Sequence, residues 1–195
     1  MGIKLVNSFT SDIEKLKVKD IYSALEGDDA ADMPFWIWFL ENPESPVPMP
    51  GKISLYNHDH LHILLGRDQS PEDEAFIIGF TMGNDPQTAW YHIIIFKIFS
   101  FLIYPKLYKF NRQQMRVFDL GFSYGRKLSF KEIHKINFAA YQNYTLSALR
   151  KLFGIEPDEI QAIKQVEQWL VLSTTPANVS INSNKSDAIL MQPSN

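Results

Sequence analysis

Cysteine is absent from the 195 residues, which removes disulfides, thiolate metal sites and cysteine nucleophiles together. Any metal here must be held by nitrogen and oxygen. Net positive charge is lacking too: the formal charge is −3 and the isoelectric point about 5.9, so no whole-chain field attracts nucleic acid, and no nucleic-acid partner is expected. Met1 to Lys19 contains no apolar core of secretory-signal length and mixes acids with its lysines, unlike an Arg-rich transit peptide. Val6 stands where the myristoylation pattern requires Ser or Thr. A cytoplasmic location is the expectation. Strand alternation between turn signals is missing as well, and no internal repeat is visible, so helices must carry the fold.

What the chain does have is apolar bulk: 45% hydrophobic residues and 14 phenylalanines, enough for one domain with a wide ring-lined interior. Periodicity predicts a helix from a Thr10 or Ser11 cap through Ile13, Leu16, Val18 and Ile21 to Leu25, closed by Gly27. Met33 to Leu40 is an apolar run, and Pro43, Pro46, Pro48 and Pro50 make the stretch after it an extended strap. A helix over Lys52 to Leu65 ends at Gly66. Ser70, Pro71 and Asp73 then supply an N-cap, a proline in the first helical position and an acidic third position, which makes a helical hairpin. Further helices are predicted over Glu72 to Met82, Pro86 to Tyr104, Tyr108 to Lys127, Phe130 to Phe153 and Pro157 to Leu172. The expected architecture is an all-α, single-domain helical bundle over residues 1–172, with a disordered tail at 173–195 that is rich in Ser, Asn, Thr and Pro.

The chemical centre is His58-Asp59-His60-Leu61-His62. At about 100° per residue, His58 and His62 stand about 40° apart, one turn above the other, with Asp59 on the same side. His60 lies about 200° from His58 and should point away, as a solvated histidine. Glu74 follows its cap Ser70 by as many residues as His62 precedes the cap Gly66, so the two are level in an antiparallel hairpin. The candidate metal ligands are therefore His58, Asp59, His62 and Glu74. Two imidazoles and two carboxylates suit zinc or another divalent first-row ion; magnesium, which prefers an all-oxygen shell, fits less well. A solvated polar face beside Arg67 and Glu72 is the competing reading. A zinc-protease HExxH site is excluded, because Asp59 replaces the glutamate that activates water.

At these residues the chain resembles a known family. His58-Asp59-x-x-His62, eleven residues, then Glu74, is similar to the HDxxH-x11-E signature of the coenzyme Q (ubiquinone) biosynthesis protein Coq4 family. A second likeness is Leu149-Arg150-x-x-x-Gly154-Ile155-x-Pro157. The likeness extends over about residues 10–172 and departs from the family at Arg67 to Gln69, where relatives tend to carry Leu-Pro, and in the tail. The resemblance implies an all-α fold, a divalent metal on the four motif residues, and an apolar tunnel for a polyprenyl lipid. It implies a place at the membrane surface among other quinone-biosynthesis proteins. The implied activity is metal-dependent removal of the ring carboxyl of a prenylated quinone precursor, with hydroxylation at that carbon. A non-catalytic, lipid-binding or organising role is the alternative.

The residues offer two further features. Thr88 to Tyr104 is apolar almost all round, too short to span a membrane, and interrupted by His92, Lys97 and Ser100. It reads as a central core helix, or as a surface that lines a prenyl site or dips into the bilayer interface; Phe35, Trp36, Trp38, Phe39, Ile94 and Phe101 are the candidates for lipid contact. An incompletely covered apolar helix would also suit a homodimer. Lys106, Lys109, Arg112, Arg116, Arg126 and Lys127 form a local basic region, read as a solvated face or as a contact for anionic head groups.

Overall fold

The computed structural model describes residues 12–25, 49–103 and 110–174. Seven α-helices occur among them: α1 (Val18–Leu25), α2 (Leu55–Leu65), α3 (Pro71–Asn84), α4 (Trp90–Ile98), α5 (Arg112–Lys127), α6 (Leu146–Phe153) and α7 (Pro157–Thr174). No strand is present among the described residues; Lys17 and Thr145 form one isolated antiparallel bridge. The all-α expectation holds.

Local chemistry explains the best-placed elements. Ser54 caps α2 by accepting from the Asn57 amide at 3.2 Å, and Gly66 ends it in the left-handed region at φ 58°. Ser70 accepts from the Asp73 amide at 3.1 Å, with Pro71 opening α3 as read from the sequence. The central element is α3, buried along its length from Glu74 to Asn84. It lies against α5 at unusually close range. A Cβ on Gly83 would stand 2.1 Å from the Phe122 carbonyl oxygen, and one on Gly125 would stand 2.3 Å from that of Phe80. Gly79 and Gly121 repeat the pattern one turn away, so a small-residue stripe on each helix brings the two backbones together.

Three helix predictions are corrected. The segment 130–153 is not one helix: two 3-10 turns, Ile133–Lys135 and Phe138–Tyr141, precede α6. Its backbone groups are taken by Asn84, whose Nδ2 donates to the Phe130 carbonyl at 2.8 Å and whose Oδ1 accepts from the Ile133 amide at 2.8 Å. Glu132 adopts φ 60°, which breaks helical progression there. The predicted helix through Ile13 to Leu25 is interrupted at Leu16, because Val18 donates to Tyr144 O and Leu146 to Leu16 O, both at 3.0 Å. The run 86–104 begins its helix only at Trp90 and changes to a π-helical turn at Phe99–Ile103.

This last element is also not the core helix. Phe96 is buried and stacks on Phe118 at 4.7 Å, whereas Trp90 is 72% exposed and Tyr91, Ile94, Ile98 and Phe101 are about half exposed. Its π turn and α5 border a shallow apolar depression of about 280 Å³ lined by Lys97, Ile98, Phe101 and Met115. No described helix is long and apolar enough to cross a membrane. The apolar run at 33–40, most of the proline strap and the stretch from 175 onward lie outside the described residues, and α7 continues through Thr174, past the expected start of the tail.

Candidate metal centre

The hairpin of α2 and α3 brings three predicted ligands to one point. His58 and His62 lie one turn apart in an edge-to-face arrangement with ring centroids 4.6 Å from each other. Glu74, in the first turn of α3, reaches between them: Oε2 is 3.1 Å from His58 Nε2 and Oε1 is 3.2 Å from His62 Nε2. One ligand atom from each residue lies within 4.8 Å of the other two, and all three side chains are buried. Both His58 nitrogens, His62 Nε2 and Glu74 Oε2 are enclosed yet lack an aligned hydrogen-bond partner. Buried polar atoms normally find partners, so their convergence here fits a cation-binding centre.

Asp59 is placed differently. Its Oδ1 is 3.9 Å from His58 Nδ1, the ring nitrogen on the opposite side from Glu74, and its side chain is 30% exposed. It does not belong to the compact group of three. His62 has a corresponding partner at its own inner nitrogen, where Nδ1 donates to the Arg67 carbonyl at 3.2 Å. That bond fixes the tautomer and leaves Nε2 as the ligating nitrogen.

Charge follows geometry. Burial alone would disfavour charge on His58, but hydrogen bonding and attraction from Asp59 and Glu74 outweigh it and raise its pKa to about 9. Burial would likewise raise Glu74, yet the two imidazoles hold its carboxyl well below the usual carboxylate range. The metal-free centre is thus a carboxylate clasped by imidazolium. This His58, His62 and Glu74 group could hold a metal ion, to which it would offer two imidazole nitrogens and a carboxylate.

His60 points away from the pair, as predicted, but it is not solvated. Its ring is fully buried, stacked between Tyr22 at 4.8 Å and Phe138 at 5.0 Å, and Nδ1 donates to the Tyr56 carbonyl at 2.6 Å. The far side of α2 faces the core, which turns an expected surface histidine into a packing residue.

Two arginines hold the hairpin, and the sequence reading assigned neither that role. Arg67 is fully buried in the α2–α3 turn, bonded to Asp73 at 3.2 Å and bidentate to Glu167 of α7 at 2.6 and 2.9 Å, with its guanidinium 3.6 Å above the Phe76 ring. Arg150 binds the last carbonyls of α2 and pairs with Glu14. Arg67 follows the helix-ending Gly66, which gives a local signal, but Glu167 lies 100 positions away and leaves none.

The lipid-contact candidates divide. Ile94 and Phe101 are half exposed on the outer face of α4 and its π turn, while Phe35, Trp36, Trp38 and Phe39 lie outside the described residues. No family model, curated protein or solved structure matches the chain.

Proposed function

We propose that this is a metal-dependent protein of prenyl-quinone biosynthesis that acts on the prenylated head group, with the ion held by the hairpin centre. The observation that carries the reading is the convergence of His58 Nε2, His62 Nε2 and a Glu74 oxygen as enclosed, incompletely satisfied atoms. Their spacing also matches the Coq4-family signature, together with Asp59. When bound, the ion supplies Lewis acidity and a template for oxygens of a phenolic carboxylate. The head-group reaction we assign is loss of the ring carboxyl as carbon dioxide with hydroxylation at the same carbon, a two-electron oxidation in which dioxygen serves as oxidant and oxygen source (ArCOOH + ½ O2 → ArOH + CO2). Zinc is the favoured ion, with magnesium and other divalent ions as competitors.

The test is metal analysis and turnover of prenylated hydroxybenzoate-type head groups by the purified protein, beside Glu74→Gln. Stoichiometric metal and decarboxylated product in the wild type, both lost in a folded Glu74→Gln variant, support the assignment. Undiminished turnover in a metal-depleted variant sinks it.

A second reading is favoured by the outer face of α4 and its π turn, where Trp90, Tyr91, Ile94, Ile98 and Phe101 present apolar surface. Aromatic residues of this kind favour the membrane interface. In this reading the protein binds prenyl lipid at a membrane surface and presents it to other quinone-biosynthesis proteins without chemistry, and a homodimer is an alternative cover for the same face. Vesicle sedimentation separates these outcomes: Trp90→Ser with Ile98→Glu should abolish binding to vesicles that contain prenyl lipid, whereas a concentration-dependent change in oligomeric state would assign the face to a second copy.

A further inference from the structure

Resting on the metal reading above, we infer that Asp59 acts through His58 rather than on the ion, leaving a His58–His62–Glu74 centre with at least one coordination position open to an exogenous oxygen or nitrogen. Reach separates the two roles. Asp59 adjoins His58 on α2, about 100° around the helix, and its carboxylate extends only as far from the backbone as the inner ring nitrogen of a histidine. The ligating nitrogens are the outer ones, His58 Nε2 and His62 Nε2, which face Glu74 at 3.1 and 3.2 Å. Asp59 Oδ1, on a part-exposed side chain, instead lies 3.9 Å from His58 Nδ1.

The two histidines are also symmetric in their surroundings. His62 Nδ1 already donates to the Arg67 carbonyl, and His58 Nδ1 is enclosed without an aligned hydrogen-bond partner, with the Asp59 carboxylate 3.9 Å from it. Each imidazole thereby has an oxygen behind it and the ion position in front. An oxygen at the inner nitrogen selects the tautomer whose outer nitrogen can ligate, and raises the basicity of the ligand. Two histidines and one glutamate are three protein ligands among the described residues, one fewer than a closed tetrahedral shell. The remaining position is available to a substrate carboxylate or phenolate, as head-group chemistry requires and a purely structural site does not.

The test is titration of cobalt(II), a spectroscopic probe, into metal-free wild type, Asp59→Asn, His62→Ala and Glu74→Ala, with folding checked by circular dichroism. Asp59→Asn should still bind one cobalt per chain with the visible band shape of the wild type, at an affinity about 10–100-fold weaker. His62→Ala and Glu74→Ala should lose stoichiometric binding. Azide should shift the bands of both wild type and Asp59→Asn by entering the open position. If Asp59→Asn is as empty as His62→Ala, or its band intensity reports a lost ligand, Asp59 is on the ion and the inference is overturned while the metal reading stands. Failure of azide to perturb the wild-type bands overturns the open position. A wild type that binds no cobalt overturns both the metal reading and the inference resting on it.

Discussion

Arg150 grips Leu64 from across the bundle: its Nε donates to the Leu64 carbonyl at 2.7 Å, and Nη2 donates to that of Ile63 at 3.3 Å. These carbonyls end the helix that carries both metal-centre histidines. A cation at the negative end of α2 offsets its dipole and supplies a donor to the Leu64 carbonyl, while the Ile63 carbonyl also accepts from the Gly66 amide. The same guanidinium pairs with Glu14.

Arg150→Met should therefore lower stability by about 3–5 kcal/mol, since it removes one partner of a buried ion pair and takes the side-chain donor from the Leu64 carbonyl. Arg150→Lys should recover little, because a single ammonium cannot reproduce a fork that meets Leu64, Ile63 and Glu14 together. Urea unfolding of the metal-free protein measures both. A loss below about 1 kcal/mol for Arg150→Met would show that the grip is incidental.

The glycine stripe makes a second prediction. Gly83→Ala would place a methyl 2.1 Å from the Phe122 carbonyl oxygen, and Gly125→Ala one 2.3 Å from that of Phe80, contacts that backbone on a facing helix cannot relieve by side-chain motion. Each substitution should cost about 1–3 kcal/mol or more despite the better helix propensity of alanine. Chemical denaturation should find the two costs less than additive when combined, since one separation of α3 from α5 accommodates both methyls.

The sequence made the hairpin legible because its signals are local. Gly66, Ser70 and Pro71 each act on a backbone group within a few residues, so α2, the turn and α3 could be placed closely enough to level Glu74 with His62. The correction of 130–153 has the opposite origin: Asn84, some 46 to 49 positions earlier, competes for the backbone at Phe130 and Ile133. His60 shows a related limit. Helical spacing told which way it points, but only the packing of Tyr22 and Phe138 decides whether that direction is water or core. Apolar content likewise marked α4 without telling that α3 would occupy the centre.

Metal binding should displace a proton. In the metal-free centre the Asp59 and Glu74 carboxylates outweigh burial and keep His58 charged up to about pH 9, whereas an imidazole must be neutral to ligate. Calorimetric titration at pH 7 in buffers of different ionisation enthalpy should return about one proton released per ion bound. The release should decline as pH passes about 9. The same raised pKa stabilises the metal-free fold below the unfolded value of 6.5, a contribution lost as pH rises through 9. Apparent binding enthalpy that is independent of buffer at pH 7 would show that His58 is already neutral.

His134 titrates in the opposite sense. Burial drives its pKa down to about 4 against the pull of Asp85, whose Oδ2 stands 3.4 Å from His134 Nε2. Lys135, 3.6 Å from the same Asp85 oxygen, adds a further opposing charge, and Glu132 a favourable one. The folded state therefore holds His134 neutral where the unfolded chain, with an ordinary value of 6.5, takes up a proton. Stability must fall as pH drops from 6.5 towards 4, by at most about 1.4 kcal/mol per pH unit from this one group. Carboxylates also titrate near the lower end of that window, so the informative quantity is the difference between wild type and His134→Phe, in which distant contributions cancel. That difference should change by about 2–3 kcal/mol between pH 7 and pH 4, with the variant gaining on the wild type as the medium becomes acid. Parallel stability profiles for the two proteins would mean that His134 is already solvated, and the burial of the segment around it would have to be reconsidered.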